Sequence, residues 1–165
     1  LTNPLYLEAQ CPGYLYQGQV FNPYELTQAL EHEHATLSLH ALQKGKRFAL
    51  FDIGFPFKAA TPLTSSQRAV ESLLKVMQNN PHLRIRIEGH ANGCCDIMTQ
   101  EPYADEAALK VSVKRAETIA QFLMDHGIAS ERLETVGYGV EKLLYEQKSP
   151  DAHLNRRIEI EVLDF

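Results

Sequence analysis

Two stretches of the chain alternate strictly: Leu83, Ile85 and Ile87 interleave with Arg84, Arg86 and Glu88, and Ile158, Ile160 and Val162 interleave with Arg157, Glu159 and Glu161. A period of two puts apolar side chains on one face of an extended strand and charged ones on the other, so both segments read as half-buried β-strands. Between and before them the period changes to that of a helix. Val70, Leu73, Leu74 and Met77 recur at i, i+3, i+4 and i+7, after a Thr64-x-x-Gln67 capping box and before the stop signal Asn79-Asn80-Pro81. A second helix is predicted over 104–126, with Leu109, Val113, Ala116, Ala120 and Leu123 on its apolar stripe and Gly127 placed for a C-cap.

Further strands are expected over 47–53 and 132–137. The resulting order is strand, helix, strand, helix, strand, strand. With charges on the second face of both clear strands, the helices are expected on one side only. The fold class is therefore α+β: a two-layer α/β sandwich of βαβαββ type, with helices on one face of a mixed sheet. Residues 1–45 read differently, because Pro4, Pro12, Gly13, Gly18 and Pro23 break short segments such as 14–21 and 36–42. They are expected to be a connector and the end of a preceding β-rich module, leaving 46–165 as the main domain.

Composition narrows the function. At 165 residues, 44% of them hydrophobic and 22% charged, the chain suits one globular core. No apolar run approaches the roughly 20 residues of a membrane span. A net charge of −5 without a Lys/Arg cluster argues against nucleic acid, whose phosphates reward a basic stripe. The chain opens on Leu1 without a basic and apolar leader, so any export signal is expected to lie outside this segment or to have been removed. Cys11, Cys94 and Cys95 match neither a disulfide framework nor a zinc CxxC pair. Cys94-Cys95 is open to three readings: two thiols, a strained vicinal disulfide or a soft-metal site. Glu31-His32-Glu33-His34 with His40 lacks a matching ligand set and reads as solvated polar residues. No metal and no cofactor are expected.

The segment Gly89-His90-Ala91-Asn92-Gly93 ends an alternating strand in a loop bracketed by glycines, whose backbone N–H groups can approach a ligand closely. Arg115 lies about 120° from the middle of the second helix's stripe at about 100° per residue, so it is expected to flank the core. If the chain folds back, loop and arginine together offer amide donors and a guanidinium fork suited to a carboxylate. The plain alternative is a tight turn beside a solvated arginine. An enzyme reading would pair a thiol of Cys94-Cys95 with His90 as nucleophile and base, but nothing in the sequence orients that histidine.

Six motifs occur in order: Phe51-Asp52-Ile53-Gly54, Gly89-His90-Ala91-Asn92, Val111-Ser112-x-x-Arg115-Ala116, Gly127-Ile128, Gly137-Tyr138-Gly139 and Asn155-Arg156-Arg157-Ile158-Glu159. Together they resemble the OmpA C-terminal-like family, which includes the Pal and MotB wall-binding domains, over about 46–162. The resemblance implies a periplasmic, non-enzymatic domain that binds the diaminopimelate part of the peptidoglycan stem peptide. It implies that Arg115 grips a carboxylate and that Asn92 stands where the family usually has an aspartate for the ammonium. His90, Ala91, Gly93, Ala59, Ala60, Val111 and Arg156 are the other ligand-binding positions it implies.

Asn92 weakens a charge–charge bond to an ion–dipole one, and Asp96 or Asp105 is a candidate substitute acid. The family's loop asparagine is replaced by Ala108. Asn155-Arg156-Arg157 invites a phosphate or carboxylate reading, but Arg157 lies on the wet side of the last strand, and for both arginines the expectation is a structural one, an arginine clamping the second helix or a neighbouring carboxylate. Ala9-x-Cys11-Pro12-Gly13-Tyr14 resembles the last strands of a carboxypeptidase-regulatory-like sandwich. That domain order resembles an outer-membrane-associated component of the type IX secretion system. The implied partners are thus the stem peptide and other envelope or secretion-system proteins. The rival expectation is a protein–protein interaction domain that kept the fold and lost the ligand.

Overall fold

A computed structural model describes residues 5–21, 37–93 and 105–165. Its main sheet has four strands in the order β5-β8-β6-β7, where β5 is Arg47–Leu50, β6 Arg84–Gly89, β7 Leu133–Gly137 and β8 Ile158–Asp164. β8 runs antiparallel to both β5 and β6, and β6 runs parallel to β7, so the sheet is mixed. Helices α1 (Gln67–Asn79) and α2 (Asp105–Asp125) alternate with the strands in the expected βαβαββ order.

The register joins the apolar positions into one surface. Ile87 and Phe48 both lie opposite Ile160, and Ile85 lies opposite Val162. Against this face α1 buries Val70, Leu73, Leu74 and Met77, the residues its period singled out. The expected capping box does not form. Thr64–Ser66 makes a 3-10 turn before α1, and neither helix start has a side-chain cap. Ser66 instead turns inward, where its Oγ accepts from the Gly54 N–H at 2.9 Å. At the end of α2, Gly127 takes φ +89° and the Ile128 N–H bonds the Leu123 carbonyl at 3.0 Å, the expected glycine cap.

The stripe of α2 is rotated from its expected position. Leu109 is exposed and Val113 half-buried, whereas Ala108, Ser112, Arg115, Ala116, Ile119, Ala120 and Leu123 are buried. Contact with two strand-end glycines causes the rotation. Gly89 and Gly137 are register partners, and a Cβ on Gly89 would fall 1.9 Å from the Ser112 carbonyl oxygen. On Gly137 it would fall 2.4 Å from the Val113 nitrogen. The helix therefore rests its backbone on the sheet at this end, and its small residues Ala108, Ser112 and Ala116 allow that approach.

The early segment also meets this core. β1 (Leu5–Ala9) pairs with β3 (Gln17–Phe21), and β2 (Tyr14–Leu15) with β4 (His40–Ala41). Leu15, Tyr16 and Leu42 are buried in the same cluster as the sheet residues. The Gly13 N–H donates to Asn80 Oδ1 at 2.7 Å, and the Tyr16 hydroxyl donates to Asp52 Oδ2 at 2.8 Å.

Candidate functional site

The ends of β6 and β7 and the first half of α2 meet above the glycine contact. There Arg115 is 1% exposed, so it enters the core where the stripe geometry placed it at the edge. The rotation of α2 is the reason. Its Nη1 donates to the His90 carbonyl at 2.9 Å, its Nε to the Ala59 carbonyl at 2.9 Å and its Nη2 to the Pro56 carbonyl at 3.1 Å. The guanidinium also lies over the Phe55 ring, 4.9 Å from its centroid. One side chain thus joins two loops distant in sequence, residues 51–63 after β5 and residues 90–93 after β6.

The residues of the second loop are already in use. The His90 N–H donates to the Arg157 carbonyl at 3.1 Å and the Ala91 N–H to the Gly139 carbonyl at 2.8 Å. Among the described residues no acceptor meets the N–H groups of Asn92 and Gly93. The Asn92 side chain is buried: its Nδ2 donates to the Gln147 carbonyl at 3.0 Å and its Oδ1 accepts from Asn155 Nδ2 at 2.8 Å. Gly93 has φ +64°, a conformation that suits glycine.

The remaining expected positions scatter around this centre. Ala59 and Ala60 are half-buried beside Arg115, and Ala60 lines a shallow cleft with Lys114, Glu117 and Gln121. Val111 is half-buried on α2, and Ala108 is wholly buried within the same helix. Asp105 is exposed at the first residue of α2. Asp96, Cys94, Cys95 and the Glu31–His34 run lie outside the described residues. Arg156 is half-buried after the 3-10 turn Pro150–Asn155, and burial holds its pKa below the usual arginine value.

On the opposite face of the sheet, two residues expected to be wet are buried. Glu88 is 0% exposed and Arg157 2% exposed, because Tyr138 and Lys142 of the β7–β8 connection cover this end. Arg157 clamps a neighbouring carboxylate: its Nε donates to Glu159 Oε1 at 2.7 Å, and its Nη2 also reaches that oxygen. The network balances the like charges of Glu88 and Glu159, which face each other across the β6–β8 pair. Arg47 and Lys142 approach Glu88 at 3.4 and 4.0 Å.

His90 stacks on Tyr138 with ring centroids 5.5 Å apart, and neither ring nitrogen has a hydrogen-bond partner among the described residues. Burial and the positive charges of Arg157 and Lys142 push its pKa down to about 3. Glu88, His90 and Glu159 bring ligand atoms within 4.8 Å of one another, the spacing of a metal set. The same two cations that discourage imidazolium also oppose a metal cation there.

Ser112, Gln147 and Asn155 are the participants that sequence reasoning missed. Ser112 Oγ accepts from the Gly139 N–H at 2.9 Å and donates to the Leu109 carbonyl at 2.8 Å. Ser112 and Asn155 stood inside recognised motifs, next to residues that drew attention for their charge. Gln147 lies in an aperiodic loop that carried no signal.

Residues 55–157 match the OmpA family. Outer membrane porin F of Pseudomonas fluorescens is 27% identical over 112 residues, which make up 67% of this chain and 32% of that protein. The chain thus spans about a third of that relative's length. Among solved structures, a MotB-like protein from Desulfovibrio vulgaris superposes with a TM-score of 0.57 at 20% identity, covering 70% of this chain and 72% of that one. The cell wall anchor of the T6SS from Pseudomonas aeruginosa gives 0.56 at 17% identity, covering 83% and 92%. The OmpA-like domain of FopA1 from Francisella tularensis gives 0.56 at 14% identity, covering 98% and 84%. These structures share the fold of the sheet and helices described above. With the family match extending over more than half of its residues, from Phe55 to Arg157, the chain belongs to the OmpA family.

Proposed function

We propose that this domain binds peptidoglycan without altering it, and so tethers an envelope complex to the cell wall in the periplasm. The observation that carries this reading is Arg115. It draws the loops 51–63 and 90–93 together through the carbonyls of Pro56, Ala59 and His90, and it brings a positive charge between them. A carboxylate is the complementary group, and the N–H groups of Asn92 and Gly93 are donors beside it. In the stem peptide the diaminopimelate residue presents such a carboxylate. His90, Ala91, Ala59, Ala60, Val111 and Arg156 shape the surroundings, with Asp96 or Asp105 as the acid for the ammonium. The partner across the envelope is an outer-membrane or secretion-system protein, in keeping with the family.

A second reading is a protein–protein interaction domain without the ligand. Two facts favour it: the Asn92 carboxamide is bonded internally, and Arg115 is almost wholly covered. Co-sedimentation with diaminopimelate-type sacculi decides between them. The parent protein is expected to pellet with sacculi, free diaminopimelate is expected to release it, and Arg115→Lys should pellet less while staying folded. A parent protein that stays in the supernatant sinks the first reading.

A further inference from the structure

We propose that Asn92 is a positioning residue: its carboxamide fastens the connection 138–157 onto the loop 89–93, and that connection is a wall of the same site. This rests on the peptidoglycan reading for its ligand and on hydrogen bonds for its geometry. Asn92 Nδ2 donates to the Gln147 carbonyl at 3.0 Å, while Gln147 Nε2 donates back to the Asn92 carbonyl at 2.8 Å. Asn155, 0% exposed, donates from Nδ2 to Asn92 Oδ1 and to the Tyr145 carbonyl, both at 2.8 Å. Its Oδ1 accepts the N–H groups of Leu144 and Tyr145 at 2.8 and 3.1 Å. The two asparagines thus form a chain of amides from the candidate ligand loop to the tip of the connection.

Packing supports the same placement independently. A Cβ on Gly93 would fall 2.1 Å from Val140 Cγ1 and 3.2 Å from Gln147 Nε2, so the connection lies directly on this glycine. Gly139, with φ +51°, would place a Cβ 3.1 Å from the Leu109 backbone of α2. The first half of the connection is thus seated on two sides, against Gly93 and against α2.

This geometry accounts for an uncharged residue at 92. The position needs an acceptor toward Asn155 and a donor toward the Gln147 carbonyl, and one carboxamide supplies both. An aspartate keeps the first bond, but its second oxygen would face the Gln147 carbonyl, acceptor against acceptor. Where the resemblance suggested a weakened ammonium contact, the structure assigns Asn92 a different task. The ligand then meets a wall set by Asn92 and Gln147, and its charge is answered elsewhere.

The test uses a soluble muropeptide ending in meso-diaminopimelate, with affinity measured by calorimetry and amide exchange by NMR. Asn92→Asp is expected to weaken binding about tenfold, the factor that one lost hydrogen bond of roughly 1.4 kcal/mol gives. It should also speed exchange at Leu144 and Tyr145 by a similar factor. Gln147→Ala, which leaves both asparagines in place, should weaken binding several-fold with an unchanged Tm, a result that general destabilisation does not give. Binding by Asn92→Asp that equals or exceeds the parent's overturns the proposal. So does faster loop exchange with unaltered affinity in Gln147→Ala. If the parent itself ignores the muropeptide, the peptidoglycan reading fails, and unchanged exchange at Leu144 and Tyr145 in Asn92→Asp would refute the fastening separately.

Discussion

Among the described residues Arg115 and Arg157 are the two largest fully buried side chains, at 1% and 2% exposed, and they lie on opposite sides of the sheet. Arg157 is answered by a carboxylate, since two of its nitrogens reach one oxygen of Glu159. Arg115 makes its named hydrogen bonds to the carbonyls of Pro56, Ala59 and His90. The first arrangement neutralises a charge and ties β8 to the polar network. The second organises loops, tying residues 51–63 to residues 90–93 through backbone carbonyls. The contrast teaches that equal burial of an arginine can serve two tasks, an ion pair on one face of the sheet and a seam between loops on the other.

The largest expected effect comes from truncating either arginine. Arg157→Met leaves Glu159 without its main cation and is expected to cost about 3–5 kcal/mol in urea unfolding. Arg115→Met removes the donor from three carbonyls, of which that of Pro56 keeps the Ala59 N–H, and is expected to cost at least about 3 kcal/mol. The two should part on a second substitution. Glu159→Gln restores much of the stability lost in Arg157→Met and none of that lost in Arg115→Met. Rescue of both, or of neither, would erase the distinction.

A smaller effect tests the junction between the two faces. His90 has its pKa pushed from about 6.5 down to about 3 in the folded state. Between those values the unfolded chain binds the extra proton. The stability His90 contributes as a neutral ring is therefore complete above pH 6.5 and is lost as pH falls toward 3. Denaturation midpoints measured from pH 7 to 5 should decline for the parent by an amount worth about 1–2 kcal/mol. His90→Phe, which keeps the stacking on Tyr138, should flatten that decline. An identical decline in the variant would place the proton elsewhere.

The smallest change is expected on the open part of the sheet. Arg86 pairs with Glu134 at 2.9 Å and Glu161 at 2.8 Å, yet it is only half-buried and Glu134 is exposed. Arg86→Ala should cost no more than about 1 kcal/mol, since solvent screens such pairs. A cost matching that of Arg157→Met would mean that exposure does not separate the two ends of the polar face.

Alternation in 83–88 and 158–162 placed the central strands, and the i, i+3, i+4, i+7 pattern placed α1, because each pattern is a direct record of one face meeting a core. The α2 stripe was misread for a related reason. Its contacts at the site end are made by backbone and small residues, and Ser112 and Arg115 carry no apolar signature. Glu88 and Arg157 were assigned to water because a strand pattern distinguishes faces and does not reveal what later chain segments cover them.

The sequence by itself determined the βαβαββ order, the dry face of the sheet, the glycine cap of α2 and the motifs by which the chain belongs to the OmpA family. Those follow from short-range periodicity and local backbone demands. Tertiary structure alone decided that Gly89 and Gly137 admit α2 to backbone contact, that Arg115 is thereby carried under His90, and that Gln147 and Asn155 close on Asn92. Each of these depends on residues 23 to 63 positions apart meeting at one point, and a contact at that distance leaves no period in the chain.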